Sequence, residues 1–274
     1  MKIALLQMTS GIDPAANAAA IVTAMEQAAV GGAAMLFTPE MSGLVDRDRA
    51  RAARQVRDEE NDVVLAAVTA AAARLGLWVH LGSLALRGED ERFVNRGFVI
   101  DPAGEIRARY DKLHLFDVDL PSGESWRESA AYAAGERAVV AGTPVGQLGL
   151  SICYDLRFAA LYRALSDAGA TVLAIPAAFT RPTGGAHWHV LMRARAIESG
   201  AYVVAAAQTG IHEDGRATFG HSLVVDPWGE VVLDMGEASG LGFAEVDMAR
   251  VDDVRARIPV IAHRRAIPPV ELVA

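Results

Sequence analysis

Asp101-Pro102-Ala103-Gly104-Glu105 and Asp226-Pro227-Trp228-Gly229-Glu230 are two versions of one turn, each set between apolar runs. The first leads from FVNRGFVI into IRARY, and the second from GHSLVV into VVLDM. Proline and glycine between two apolar runs signal a hairpin. Two matching hairpins far apart in one chain point to pseudo-symmetry rather than to an array of short repeats.

The segments around these turns reinforce that reading. Lys2 opens a short apolar strand, Pro14 to Val30 is alanine-rich and helical, and Ala33 to Phe37 is a second strand ending at Thr38-Pro39-Glu40. A helix from Glu59 to Leu75 precedes strands at Trp78 to Leu86 and Phe93 to Ile100. Asp117 to Gly135 is polar and aperiodic, long enough to be a functional surface loop. From Val145 the order returns. It gives a strand through Cys153, a helix near Phe158 to Ala168, the strand ATVLAIP, a helix from about Ala186 to Ser199 and the strand AYVVAAAQ. GLGFAEVDM adds a last strand before a C-terminal helix. Mixed α and β elements in this number are buried by two sheets face to face with helices outside. No low-complexity linker divides the 274 residues, so one domain over 1–274 is expected.

With 52% hydrophobic and 22% charged residues the chain can bury a large core. A formal charge of −8 opposes nonspecific attraction to nucleic acid or an anionic membrane, which leaves small-molecule chemistry as the favoured class. The N-terminal apolar run is too short for a signal peptide and no run reaches a membrane span. One cysteine makes no intramolecular disulfide, so a cytoplasmic location is the expectation.

That cysteine, Cys153, lies where an apolar strand meets a helical segment. A strand-to-helix turn exposes a nucleophile, and helix-start amides favour a thiolate and an oxyanion. A core-filling thiol fits the same position. Glu40 follows a proline in apolar surroundings, where burial would raise its pKa and suit it to proton transfer; a turn carboxylate facing solvent is the alternative. Lys112 in RYDKLHLFD is either an oxyanion partner or a surface lysine, and Glu128 in the long loop is either a site residue or a solvated carboxylate. His187 and His189 suggest zinc only weakly, because i, i+2 spacing on a helix turns the side chains apart, so no metal is expected. The second glycine of a GxSxG elbow is missing around Cys153, which disfavours a serine hydrolase.

Taken together, TPEM with Glu40, DKLHLFD with Lys112 and SICYDLRF with Cys153 resemble the three signature segments of the nitrilase superfamily of carbon–nitrogen hydrolases, in the same chain order. The similarity runs on through AHWHVLMRARAIESGAYVVAAAQ, GHSLVVDPWGEVV and IPVIAHRR. The resemblance implies an α+β fold, a four-layer α-β-β-α sandwich, commonly paired into a homodimer, with residues from about 247 to 274 in the dimer contacts. It implies Cys153 as nucleophile, Glu40 as general base and then acid, Lys112 with the Tyr154 backbone N–H as oxyanion partners, and Glu128 as a further positioning glutamate, with no cofactor.

Within the superfamily the segments look most like the branch of deaminated glutathione amidases, with ω-amidases acting on α-ketoglutaramate or α-ketosuccinamate as neighbours. Hydrolysis of N-carbamoyl amino acids or aliphatic amides, and an idle scaffold that kept the fold, are the other readings. A small anionic amide needs cationic partners, for which Arg157, Arg181 and Arg216 are candidates. Phe179, Thr180, His187 and Trp188 are expected pocket walls. The chain departs from its relatives at RFAALY, where RFPELY is common, at TGGAHW, where TGPAHW is common, and at Phe219, where tyrosine is common.

Overall fold

The computed structural model describes residues 1–88, 92–119, 123 and 125–273. In chain order it runs β1 (Lys2–Gln7), α1 (Pro14–Val30), β2 (Met35–Phe37), α2 (Arg49–Gln55), α3 (Val63–Leu75), β3 (Trp78–Arg87), β4 (Phe93–Ile100) and β5 (Ile106–Asp111). A short ribbon of β6 (Asp117–Asp119) and β7 (Ser125–Arg127) follows. The second half holds β8 (Val140–Thr143), β9 (Gly146–Leu150), α4 (Ala159–Asp167), β10 (Val172–Ala174), α5 (Arg181–Ser199) and β11 (Tyr202–Ala205). It closes with β12 (Thr209–Ile211), β13 (Ala217–Phe219), β14 (Leu223–Val225), β15 (Val231–Asp234), β16 (Gly240–Glu245) and α6 (Met248–Arg257).

These strands make two six-stranded mixed sheets, ordered β16-β1-β2-β3-β4-β5 and β15-β14-β11-β10-β9-β8. Each has three parallel central strands, β1-β2-β3 and β9-β10-β11, extended antiparallel by the hairpins β4-β5 and β14-β15. The two matching turns make those equivalent hairpins. Asp101 Oδ1 accepts from the amides of Ala103 (2.9 Å) and Glu105 (3.0 Å), and Asp226 Oδ1 from those of Trp228 (2.9 Å) and Glu230 (2.8 Å). Gly104 and Gly229 occupy the left-handed region at φ 80° and 90°, which explains glycine at that point of both turns.

Residue alternation along the strands sorts the layers. Ile3, Leu5, Met35 and Phe37 join the core between the sheets, whereas Ala4, Leu6 and Leu36 pack with Ile21, Met25, Val64 and Val68 of α1 and α3. Tyr162 and Leu165 of α4 and Trp188 and Met192 of α5 cover the other sheet. Each fully buried Leu, Ile or Phe contributes about 1.5–3 kcal/mol of transfer free energy, so the paired sheets are stabilised mainly by this apolar contact. The result is the α-β-β-α sandwich.

Three local departures from the sequence reading have physical causes. The helix read from Glu59 starts only at Val63, because Asp62 Oδ1 caps the amides of Val64 (3.0 Å) and Leu65 (2.8 Å). A helix at Arg49–Gln55 was not expected; it is short, and its start is capped by Asp48. The helix α5 begins at Arg181 rather than near Ala186: Pro182 suits a first turn, and Gly184 lets Phe219 pack where a Cβ would lie 2.2 Å from its ring. Among the described residues no helix is long and apolar enough to cross a membrane.

Candidate active site

The three signature segments follow the C-terminal ends of β2, β5 and β9. After β2 the chain turns through Thr38-Pro39, and Glu40 is held from behind: Gln208 Nε2 donates to its carbonyl at 3.0 Å. Gly82 of β3 passes so close to this turn that a Cβ there would lie 2.1 Å from the Thr38 carbonyl oxygen. Lys112 follows β5, its amide donating to the Asn95 carbonyl of β4 at 2.9 Å. Cys153 follows β9 and begins a 3-10 turn at φ 49°, a conformation a non-glycine residue adopts at a cost of order 1 kcal/mol and holds only where neighbours fix it.

Asp155 is what fixes it. Fully buried, it accepts from the Ile152 amide (2.9 Å) and from Tyr110 Oη (2.7 Å) with one oxygen, and from the His114 amide (3.0 Å) with the other. His114 Nδ1 lies 2.7 Å from that second oxygen, and its ring stacks on Phe158 at 3.6 Å. One carboxylate thus ties the cysteine turn to the segment carrying Lys112. The Cys153 amide donates to the Pro176 carbonyl at 2.9 Å, which closes the elbow from the other side. Tyr154, second in the 3-10 turn, contributes one of the amides that open such a turn without a ladder partner inside it.

Lys112 Nζ, almost wholly buried, donates to Glu40 Oε1 at 2.9 Å and to Glu128 Oε2 at 2.9 Å. Glu40 Oε1 also accepts from Asn95 Nδ2 at 3.0 Å, and Oε2 from the Ala178 amide at 2.9 Å. Asn95 Nδ2 reaches Glu128 Oε1 at 3.3 Å, and the Phe116 amide donates to Glu128 Oε2 at 2.7 Å. Glu40 and Lys112 both act on the titration of the Cys153 thiol beside them.

Electrostatics in this dry cluster run against one expectation. Burial pushes the Glu40 carboxyl up, as its apolar surroundings suggest, but the Lys112 charge, the neighbouring Cys153 thiol and hydrogen bonds from Lys112 and Asn95 outweigh it, and its pKa ends below the ordinary value. Burial favours the neutral amine of Lys112, yet Glu128, Glu40 and Cys153 together hold it well above the ordinary lysine value. Burial and then the Glu40 charge push the Cys153 thiol well up, with Lys112 opposing. The resting cluster is therefore carboxylate, ammonium and thiol, so a proton can pass from sulfur to Glu40 without creating net charge.

A cavity of about 440 Å³ opens over Cys153, Glu40, Lys112 and Glu128. Tyr154, Arg157, Phe179 and Thr180 line it, as does Arg216. Arg157 stands over the rings of Phe179 (5.6 Å) and Tyr154 (5.9 Å), with no carboxylate ion-paired to it among the described residues. Arg216 stacks on Trp126 at 4.7 Å; its Nε and Trp126 Nε1 are buried without a hydrogen-bond partner among the described residues. The loop read as functional supplies Trp126, Arg127, Glu128 and Tyr132 to the walls.

Three expected pocket residues lie elsewhere. Trp188 is core, packed edge-on to Phe179 at 4.9 Å and donating Nε1 to the His221 carbonyl at 2.8 Å. Arg181 is exposed and pairs with Glu237 at 3.3 Å. His187 is exposed and reaches the cavity only through Arg157, its Nδ1 lying 3.3 Å from Nη1. The cause is the early start of α5, whose first turn gives Thr183 to the cavity wall but leaves Arg181 and His187 facing outward. Asn95 and Asp155 went unread in the sequence, although a polar residue at an inward position of the apolar strand FVNRGFVI was a usable signal for Asn95.

The family model of carbon–nitrogen hydrolases matches residues 2–256. The deaminated glutathione amidase of Bos taurus is 40% identical over 270 residues, covering 96% of this chain and 81% of its own length. That of Yersinia enterocolitica is 38% identical over 269 residues, covering 97% and 93%. The crystal structure of Saccharomyces cerevisiae Nit3, a member of branch 10 of the nitrilase superfamily, aligns with a TM-score of 0.86 at 26% identity over 97% of both chains. The chain belongs to the carbon–nitrogen hydrolase family, within the nitrilase superfamily. It is a hydrolase of carbon–nitrogen bonds.

Proposed function

We propose that the protein is a cysteine amidase acting on a small anionic amide, with deaminated glutathione as the preferred substrate. The observation that carries this reading is the buried Glu40–Lys112–Glu128 cluster against the Cys153 thiol, at the floor of a cavity lined by Arg157 and Arg216. Glu40 takes the thiol proton as sulfur attacks the amide carbonyl. Lys112 Nζ, held by Glu40 and by both oxygens of Glu128, receives the oxyanion together with the Tyr154 amide. Glu40 then protonates the departing nitrogen and the C–N bond breaks, leaving a thioester on Cys153. Water, deprotonated by Glu40, attacks the thioester; sulfur leaves and regains its proton. Glu128 and Asn95 keep Lys112 and Glu40 in register.

The cationic walls suit a substrate carboxylate, and the cavity volume lies within the range for small-molecule sites, with room for a chain longer than that of α-ketoglutaramate. Two relatives named for deaminated glutathione, alike over nearly the whole chain, support the same choice. We place the enzyme in the cytoplasm as a single catalytic domain without metal or cofactor in its reaction. We also infer a homodimer, supported by exposed Val190 and Ile197 on α5 and by exposed Ile267, Val270 and Leu272 in the C-terminal segment.

The test is kcat/KM for deaminated glutathione, α-ketoglutaramate, an N-carbamoyl amino acid and an aliphatic amide, in the wild type and in Cys153→Ala. Deaminated glutathione should rank first, and Cys153→Ala should turn over none of them. Turnover by that variant would remove the mechanism, and a higher kcat/KM for another amide would move the substrate.

A further inference from the structure

His189 of α5, His221 of the β13–β14 connection and Asp234 of β15 meet on the surface away from the cavity residues. His189 Nε2 lies 2.9 Å from Asp234 Oδ2, and His221 Nδ1 lies 2.8 Å from Asp234 Oδ1. One ligand atom from each falls within 4.8 Å of the others. We propose that these three side chains bind a first-row divalent metal ion, zinc(II) being the best match. Two imidazole nitrogens and one carboxylate oxygen suit that ion, with water in a fourth position. Zinc with bonds of about 2.1 Å sets tetrahedral ligand atoms about 3.4 Å apart, so small side-chain movements convert the present cluster into a coordination shell.

The groups are held before any ion arrives. His221 sits at φ 56°, its amide donating to the Gly236 carbonyl at 2.7 Å and its carbonyl accepting from Trp188 Nε1 at 2.8 Å. Phe219 stacks on its ring at 4.5 Å. Asp234 Oδ1 accepts from the Gly236 amide at 2.9 Å. Outer contacts of this kind orient metal ligands. All three side chains are partly exposed, with relative areas of 37%, 23% and 32%, which leaves an entry path. Arg193, one helical turn beyond His189, is turned to the Gly229 carbonyl at 2.8 Å, and Glu230 lines the same depression. Sequence spacing pairs His189 with His187 and points away from this site; the ligands come from three separate elements.

The ion would clamp α5 to β15 and to the connection behind Phe179, since the Phe219 amide donates to the Phe179 carbonyl at 3.0 Å and Trp188 packs on Phe179. The experiment uses tag-free full-length protein stripped with chelator, titrated with zinc chloride by calorimetry and with cobalt(II) by visible absorption. The expected result is one saturable site whose cobalt spectrum is that of nitrogen and oxygen ligation. His189→Gln and Asp234→Asn should each weaken zinc at least tenfold, while His187→Gln should leave it unchanged. His189→Gln is on the surface, and its far-UV circular dichroism should match the wild type, so the test stands even if Asp234→Asn folds poorly. No saturable binding, binding unaltered in His189→Gln, or a thiolate-to-cobalt charge-transfer band placing the ion on Cys153 would each overturn the proposal.

Discussion

Lys112 Nζ lies 2.9 Å from Glu40 Oε1 where both are almost excluded from water, and this contact sets which group carries the proton at rest. Because it holds the Glu40 carboxyl low while the thiol is pushed high, ionised Glu40 and protonated Cys153 coexist across the neutral range. Alkylation of Cys153 by iodoacetamide should therefore keep rising with pH without levelling off up to 9.0, the ordinary thiol value. The acid limb of kcat/KM, where Glu40 gains its proton, should lie below 4.5. Stopped-time alkylation with mass detection checks the first, and a thiolate titration near neutrality contradicts it.

Asp155 acts through the elements it joins rather than on substrate. Asp155→Asn replaces an acceptor of several hydrogen bonds with an amide that must turn donors toward donors, loosening both the cysteine turn and the Lys112 segment. A displacement of about 1 Å costs about 10²-fold in rate. The expected outcome is a fall of that order in kcat with KM little changed, read by steady-state kinetics beside a thermal melt.

Arg157→Gln and Arg216→Gln should raise KM for an anionic amide and leave kcat nearly intact. A charged hydrogen bond contributes about 1.5–3 kcal/mol, which corresponds to roughly 10- to 150-fold in kcat/KM. Propionamide, which carries no carboxylate, should be hydrolysed equally by wild type and variants. Equal losses on both substrates would mean that the arginines shape the cavity rather than bind charge.

Gly82→Ala tests the close approach behind Glu40. The added methyl would fall 2.1 Å from the Thr38 carbonyl oxygen and 2.5 Å from that of Pro39, backbone atoms that cannot turn aside. Overpacking of this kind costs about 1–3 kcal/mol, and here it also displaces Glu40. Denaturant unfolding should show that loss together with reduced kcat.

His80, buried against Phe37, is driven to a pKa of about 3 by burial. Its folded value lies below its unfolded 6.5, so it charges more readily in the unfolded chain. The stability it permits is complete above pH 6.5 and is lost as pH falls toward 3, by up to about 1.4 kcal/mol per pH unit. His80→Leu should flatten the stability profile of urea unfolding between neutrality and pH 4.5. An unchanged acid limb in the variant would assign acid unfolding to other groups.

Local pattern was enough for most of the strands and helices of the two sheets and for the two Asp-Pro-x-Gly-Glu hairpins, because turn chemistry and side-chain period act over a few residues; Glu40, Lys112 and Cys153 stood out only through the resemblance of their three segments to the nitrilase superfamily. Tertiary structure alone decided the rest. Whether Glu40 sits above or below the ordinary carboxylate value depends on a lysine 72 positions away, and it came out below. Asn95 enters the cluster from β4, Asp155 ties the Cys153 turn to the Lys112 segment, Arg216 lines the cavity, and Arg181, His187 and Trp188 lie outside it because α5 starts a turn early. His189 met His221 and Asp234 rather than His187 for the same reason: charge and coordination are set by distance in space, which the order of residues along the chain does not encode locally.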